Sequence, residues 1–303
     1  MPLKAQVRAA FSLGEGRRLP AAFVLVAALL LVLVPEQVHS ARFFGSNVRR
    51  EGKECAHSED DPALNTTLHV LSWEPRVVLV KNFASKEDLD VYVNLAQPML
   101  EKSGLALKEG ENFNGSIRTS RGAFVQAPQD ASGTILRLEQ KLARLTSIPV
   151  ENGEAWNVLY YPLRGHYAHH MDYFDPQNFP DRAPNNRLAT FLLYIRSAEK
   201  GGETIFPRGG KTGYGMKGPP EFDSCDRGLK VKAEPGDGVL FYSQTTDFTL
   251  DPMSLHGGCP VEEGEKWVAT KWMHNSDFYS LDPSYYETHT DSCKLSNFNI
   301  GVN

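Results

Sequence analysis

The sequence predicts a mainly β protein with flanking helices, an α+β class whose core is a sandwich or a barrel. Three observations predict it. Five short apolar or alternating runs, "WNVLYY", "LATFLLYI", "LKVKA", "GVLFY" and "KWVATKWM", follow one another between residues 156 and 273, separated by Gly, Pro and Asp turns. Helical periodicity is confined to the stretch before them. The composition, 41% apolar and 23% charged over 303 residues, is that of a globular chain able to bury one sizeable core.

The N-terminus comes first. Lys4, Arg8, Arg17 and Arg18 precede an apolar run from Ala21 to Val34 that closes at Pro35. That run is short for a bilayer span of ~20 residues and suits a signal-peptide core, with Val38 and Ser40 before a cleavage at Ala41. The long basic lead equally suits an uncleaved type II anchor, so residues 1–40 read as either one. Both readings send the remainder into an oxidising lumen, the endoplasmic reticulum or Golgi. There Cys55, Cys225, Cys259 and Cys293 form an even set with three possible pairings. Asn65 in "NTT" and Asn114 in "NGS" are glycosylation sequons consistent with that route. Residues 41–70 are polar and read as a stem without a core of its own.

A domain is expected over 71–277, with 278–303 as a tail. Val77 to Val80 is strand-like. Ser85 and Asp88 form a capping box for a helix carrying Leu89, Tyr92, Val93 and Ala96. Ile135, Leu138, Leu142 and Leu145 mark a second helix that ends before Pro149. "AEPGDG" reads as a hairpin turn, since Pro presets one backbone angle and Gly supplies the next. The net charge of −5 and the pI near 6.0 argue against a surface built for phosphate, and so against a nucleic-acid partner. The sequence carries no signal for an oligomeric state.

The chemistry-bearing stretch is "YAHHMDYF", residues 167–174. On a strand, alternate side chains share a face, so His170 and Asp172 could bind one ion while His169 points away. With nine histidines, such a pair arises by chance easily, and "HTD" at 289–291 and "HSE" at 57–59 are other matches. Those two lack flanking strands. His256, in the turn before the last strong run, supplies a third ligand. Two His and a carboxylate suit non-haem Fe(II) with open positions, and they also suit tetrahedral zinc; the three ligands alone do not choose. Lys266 does. It shares a face with Val268, Thr270 and Trp272, and a lysine facing inward calls for a buried anion, such as a dicarboxylate chelating iron at its other end. Taken alone, Lys266 reads as a surface lysine with its ammonium in water.

Four stretches resemble the 2-oxoglutarate-dependent dioxygenases, and among them the prolyl 4-hydroxylases of plant and algal type: "ENGEAWNVLYYPLRGHYAHHMDYF", "RLATFLLYIRSAEKGGETIFP", "CDRGLKVKAEPGDGVLF" and "DPMSLHGGCPVEEGEKWVATKWMH". The resemblance implies a double-stranded β-helix, or jelly-roll, core. It implies Fe(II) on His170, Asp172 and His256, with Lys266 on the distal carboxylate of 2-oxoglutarate and Tyr161, Thr204 and Trp272 lining the same pocket. Arg118, Ser120, Glu154, Tyr167, Arg187 and His274 match positions that shape the groove for a proline-rich chain, although Arg118 and Arg187 could equally be solvated charges. The implied reaction is 4-hydroxylation of peptidyl proline in secreted or cell-wall glycoproteins, coupled to decarboxylation of 2-oxoglutarate to succinate and CO2, with O2 consumed and ascorbate keeping the iron reduced. The resemblance favours Cys225–Cys259 as a disulfide, which leaves Cys55 with Cys293. Another 2-oxoglutarate oxygenase such as a lysyl hydroxylase, a catalytically silent peptide-binding module and a zinc hydrolase using Glu203 as base are the competing expectations. The last two leave Lys266 without a purpose.

Overall fold

The computed structural model describes residues 65–105, 117–210 and 224–278. The apolar segment at 21–34, Asn114, and the residues Cys55, Cys293, His57 and His289 lie outside them. Among the described residues no helix is long and apolar enough to cross a membrane.

In chain order the strands are β1 (Thr67–Trp73), β2 (Arg76–Lys81), β3 (Glu101–Lys102), β4 (Arg121–Val125), β5 (Trp156–Tyr161), β6 (Tyr167–His170), β7 (Arg187–Arg196), β8 (Lys200–Gly201), β9 (Thr204–Phe206), β10 (Leu229–Val231), β11 (Gly238–Tyr242), β12 (His256–Gly258), β13 (Val261–Glu263) and β14 (Lys266–His274). Among the described residues two α-helices, α1 (Lys86–Ala96) and α2 (Thr134–Thr146), precede β5. An eight-stranded major sheet runs β1-β2-β11-β7-β14-β5-β4-β3, and a four-stranded minor sheet runs β10-β9-β12-β6. Non-sequential neighbours and antiparallel pairing throughout both sheets give the jelly-roll its character. All five β runs expected between residues 156 and 273 are strands.

Both helices form where capping and periodicity place them. Ser85 and Asp88 make the reciprocal capping box at the start of α1, and Asp88 also pairs with Arg137 of α2. Leu89, Tyr92, Val93 and Ala96 of α1 and Ile135, Leu138 and Leu142 of α2 are buried against one face of the major sheet, where Trp156, Val158, Phe191, Leu193, Ala269 and Met273 meet them. The alternate residues Leu159, Tyr161, Tyr194, Phe241 and Val268 form a second core with Phe206 and Val231 of the minor sheet. Each central strand of the major sheet is therefore apolar on both faces, one toward helices and one toward the opposing sheet, which explains its near-continuous apolar runs.

The structure corrects three details. Strand β1 begins at Thr67, inside the segment read as a stem; four of its seven residues are exposed apolar side chains, so it pairs with β2 by backbone and adds little to the core. "AEPGDG" holds a tight turn, with Asp237 N–H donating to Glu234 O at 3.0 Å and Gly236 at φ +88°, but it is not a hairpin. Strand β10 pairs with β9, whereas β11 pairs with β2 and β7, so the turn hands the chain from the minor sheet to the major one. Gly236 is needed there twice over: its backbone is left-handed, and an added Cβ would collide with the Ala84 carbonyl. The third detail concerns Asp172, which lies beyond the end of β6 rather than on it.

Candidate active site

The pocket opens between the two sheets. Leu159, Tyr161, Thr190, Leu192, Phe241, Lys266, Val268, Thr270 and Trp272 line it from the major sheet, and Tyr167, His170, Thr204, His256, Gly257 and Gly258 from the minor sheet; Arg118 and Asp172 close it. Its position follows from strand alternation, since positions 266, 268, 270 and 272 of β14 share the inward face, as the sequence implied.

His170, Asp172 and His256 converge. One ligand atom from each lies within 4.8 Å of the others, the only such group of three among the described residues. His256 sits directly across from His170 in the β12–β6 pair, and Gly257 beside it leaves room for the close approach of β6, where an added Cβ would press on His169 and the Tyr167 carbonyl. Each imidazole turns its Nδ1 to a carbonyl, His170 to Ala168 O at 2.8 Å and His256 to Ser254 O at 2.9 Å. That bond keeps the proton on Nδ1 and leaves the Nε2 lone pair for a metal. Both Nε2 atoms face the acid, 3.6 Å from Asp172 Oδ1 and 3.5 Å from Oδ2 respectively. Burial, then the neighbouring His256, lowers the His170 pKa to about 3, so its imidazole is neutral and ligand-competent near pH 7. Burial pushes the Asp172 carboxyl up, but the two imidazoles, Arg187 and the Thr190 hydrogen bond outweigh it and bring the pKa to about 2. His169 faces away, as alternation requires, and lines a separate cavity with His166, Ile205, Cys225 and Pro260.

Lys266 is 4% exposed and its ammonium makes no hydrogen bond or ion pair among the described residues. Its nearest company is aromatic, the rings of Tyr194 at 5.0 Å and Tyr161 at 5.7 Å. Burial lowers its pKa to about 7, with the charge of Glu203 acting the other way. A buried cation with no anion is costly unless a ligand brings one.

Thr204 is buried beside it, its hydroxyl 2.6 Å from that of Tyr194. Trp272 presents an indole N–H with no partner among the described residues. Of the expected groove residues, Arg118 and Tyr167 line the pocket and form a stack on the ligand: the Arg118 guanidinium lies 4.4 Å over the Tyr167 ring, which lies 3.6 Å from the His170 ring at 19°. Arg118 is buried, which excludes a solvated charge, and Ser120 supports it by accepting from Nε at 2.9 Å.

Glu154, Arg187 and His274 do not line the pocket. They saturate one another, Glu154 accepting from Arg187 at 2.6 and 3.1 Å and pairing with His274 Nε2 at 2.8 Å, while Arg187 packs 3.8 Å over Trp272. Their contribution to the site is support from behind.

Sequence reasoning missed Thr190, Leu192, Tyr194 and Phe241. A signal existed: positions 190, 192 and 194 alternate along "LATFLLYI", and pairing that run with the Lys266 run would have placed them on the same wall. The disulfide between Cys225 and Cys259 is present, with Cα atoms 5.9 Å apart. It fastens the chain just after His256.

Residues 156–274, which span the site, match the family model of the 2OG-Fe(II) oxygenase superfamily. Probable prolyl 4-hydroxylase 9 of Arabidopsis thaliana is 44% identical over 212 residues, covering 69% of this chain and 72% of the relative. Prolyl 4-hydroxylase 13 of the same plant is 39% identical over 214 residues, with 71% and 76% covered. The chain belongs to the plant-type prolyl 4-hydroxylases. Among solved structures, the 2-oxoglutarate complex of the viral collagen prolyl hydroxylase from Paramecium Bursaria Chlorella virus-1 is 25% identical, with a TM-score of 0.48, and covers 65% of this chain and 95% of that one.

The cofactors of this prolyl 4-hydroxylase are Fe(II), 2-oxoglutarate, O2 and ascorbate, and its own residues fit them. Two imidazole lone pairs and one carboxylate are a donor set for non-haem Fe(II), and the anionless Lys266 ammonium suits the free carboxylate of a bound dicarboxylate.

Proposed function

We propose that the protein is a peptidyl-prolyl 4-hydroxylase that acts on proline-rich secreted or cell-wall glycoproteins within the endoplasmic reticulum and Golgi lumen. The observation that carries the reading is the buried, anionless Lys266 in the same pocket as the His170, Asp172 and His256 triad. Zinc hydrolysis leaves that cation unexplained, and a silent module leaves the intact triad unexplained.

Bound Fe(II), with 2-oxoglutarate as reductant, supplies the O2 activation that places one oxygen atom on proline C4. The chain does the rest. Lys266 holds the distal carboxylate of the cosubstrate, with Tyr161, Tyr194 and Thr204 closing round it. Leu192, Phe241 and Val268 form apolar walls that exclude water from the reacting centre. Arg118 and Tyr167 fix the His170 ring by stacking, and the exposed edge of the Tyr167 ring borders the space for a polyproline II segment, a ligand whose backbone is preformed and short of donors. Trp272 offers its free N–H. The lumenal address is supported by the basic and apolar N-terminal segment at 1–40, as a type II anchor or a cleaved signal, and by the Cys225–Cys259 disulfide, which suits an oxidising compartment. Asn65 is exposed and so accessible to a glycan.

The test is incubation of the purified lumenal chain with Fe(II), ascorbate, 2-oxoglutarate and a proline-rich peptide, followed by mass spectrometry. The expected result is a gain of one oxygen atom per modified proline, matched by succinate and abolished in His170→Ala. Succinate release with an unmodified peptide would overturn the substrate and keep the oxygenase; oxidation of lysine instead would replace the prolyl reading.

A further inference from the structure

Asp172 poses a problem of positioning. The strand that carries His170 ends there, and the acid follows two residues later in a bend, so no ladder hydrogen bonds hold it. Its geometry comes from across the pocket. Strand β7 is interior to the major sheet, between β11 and β14. Two residues on it reach Asp172: Arg187 Nη1 donates to the backbone carbonyl at 3.2 Å, and Thr190 Oγ1 donates to Oδ2 at 2.7 Å.

The Thr190 contact is asymmetric in a way that matters chemically. It occupies a lone pair of Oδ2, the oxygen 3.5 Å from His256 Nε2, whereas Oδ1, 3.6 Å from His170 Nε2, accepts no hydrogen bond among the described residues. A carboxylate that engages a cation through both oxygens takes two coordination positions, and one polarised on a single oxygen by a hydrogen bond offers the other. Thr190 itself cannot drift. It is buried, lies opposite Phe241 of β11 and Trp272 of β14 in the ladders, and has a β-branched side chain with few rotamers.

We propose that Thr190 is a positioning residue that makes Asp172 a ligand through Oδ1 alone, and so keeps open the coordination position that a second carboxylate oxygen would fill. The inference rests on the reading of this pocket as an iron site and does not depend on which substrate is oxidised. A donor in the opposing sheet also explains how a ligand outside any strand is held as firmly as the two histidines on strands.

The experiment uses the metal-free full-length protein as wild type, Thr190→Val and Thr190→Ser. Val keeps the branched shape and deletes the donor; Ser keeps the donor. Fe(II) affinity is measured anaerobically by titration, and Co(II) is bound separately as a spectroscopic probe of coordination number. Thr190→Val is expected to bind Fe(II) about tenfold or more weakly and to alter the Co(II) visible absorption, with Thr190→Ser close to wild type in both. Melting of the metal-free proteins separates this from loss of fold, and Thr190→Ala carries the comparison if the Val variant does not fold. Affinity and Co(II) spectrum of Thr190→Val identical to wild type would overturn the proposal. Neither readout involves a peptide, so a failure of prolyl hydroxylation and a failure of this inference are separable.

Discussion

Strand β14 carries two buried lysines, Lys266 and Lys271, on its opposite faces, and their surroundings are opposite too. Lys271 points toward the helices, where its ammonium lies 2.5 Å from Glu139 of α2, both side chains about 5% exposed. Lys266 points into the pocket and makes no ion pair among the described residues, Glu203 acting on its charge only from a longer range. One strand thus places one charge that the protein neutralises for itself and one that it leaves for a ligand. Burial alone does not identify a functional charge; burial without a partner does.

The largest effect expected from this contrast is in Lys266→Ala. Removing one partner of a desolvated charge pair costs several kcal/mol, so 2-oxoglutarate affinity should fall about 100-fold or more, read by calorimetric titration of the Fe(II)-loaded protein. Its melting temperature should hold or rise, because an unpaired buried charge disappears. A loss of stability instead would make Lys266 structural and erase the distinction.

Lys271→Ala should do the reverse. It strands Glu139 in the helix-packed core and should destabilise by about 3–5 kcal/mol in a denaturant titration, while the folded fraction binds 2-oxoglutarate as wild type does.

Acidity sharpens the same contrast. The Lys266 pKa is depressed to about 7 in the fold, against an ordinary value of 10.5. The cost of burying its charge is therefore fully present below pH 7 and is relieved as pH rises toward 10.5, so this residue by itself makes the ligand-free protein more stable with rising pH in that window. Cosubstrate binding runs the other way. The dianion prefers the ammonium, and above pH 7 affinity should weaken by up to about tenfold per pH unit. Calorimetry from pH 6.5 to 8.5 reads this, and Lys266→Arg, charged throughout, should flatten the profile.

The smallest effect belongs to replacing both members of the inner pair. Lys271→Met with Glu139→Leu leaves no stranded charge, and stability should stay near wild type or gain about 1–4 kcal/mol. A loss as large as that of Lys271→Ala would mean that packing, not charge, dominates there.

Much of this was legible along the chain. Period-two alternation put Lys266, Val268, Thr270 and Trp272 on one wall, and the Ser85 and Asp88 pair announced α1, because both signals are local and repeat within a few residues. The inner pair was not legible: Glu139 and Lys271 are far apart in sequence, and nothing near either one says that α2 will lie across β14. Asp172 shows a subtler failure. Alternation assigned it to the face of His170 on the premise of a continuous strand, yet the strand stops at His170 and the acid is brought to the site by Thr190 and Arg187 of another sheet. "AEPGDG" failed likewise; its turn chemistry is correct, but whether a turn returns to the same sheet depends on which strands compete for its flanks.

By itself, then, the sequence determined the two helices, the five longer β runs and the inward face of β14, because side-chain chemistry and backbone periodicity act over a few residues. Only the tertiary structure decided which strands became neighbours, and with that which lysine acquired a carboxylate, which threonine reached Asp172 and which polar groups were left for a ligand. Those outcomes turn on hydrogen-bond ladders and charge pairs closed across long loops, where the partner of a residue is set by the packing of the whole sheet rather than by anything beside it in the chain.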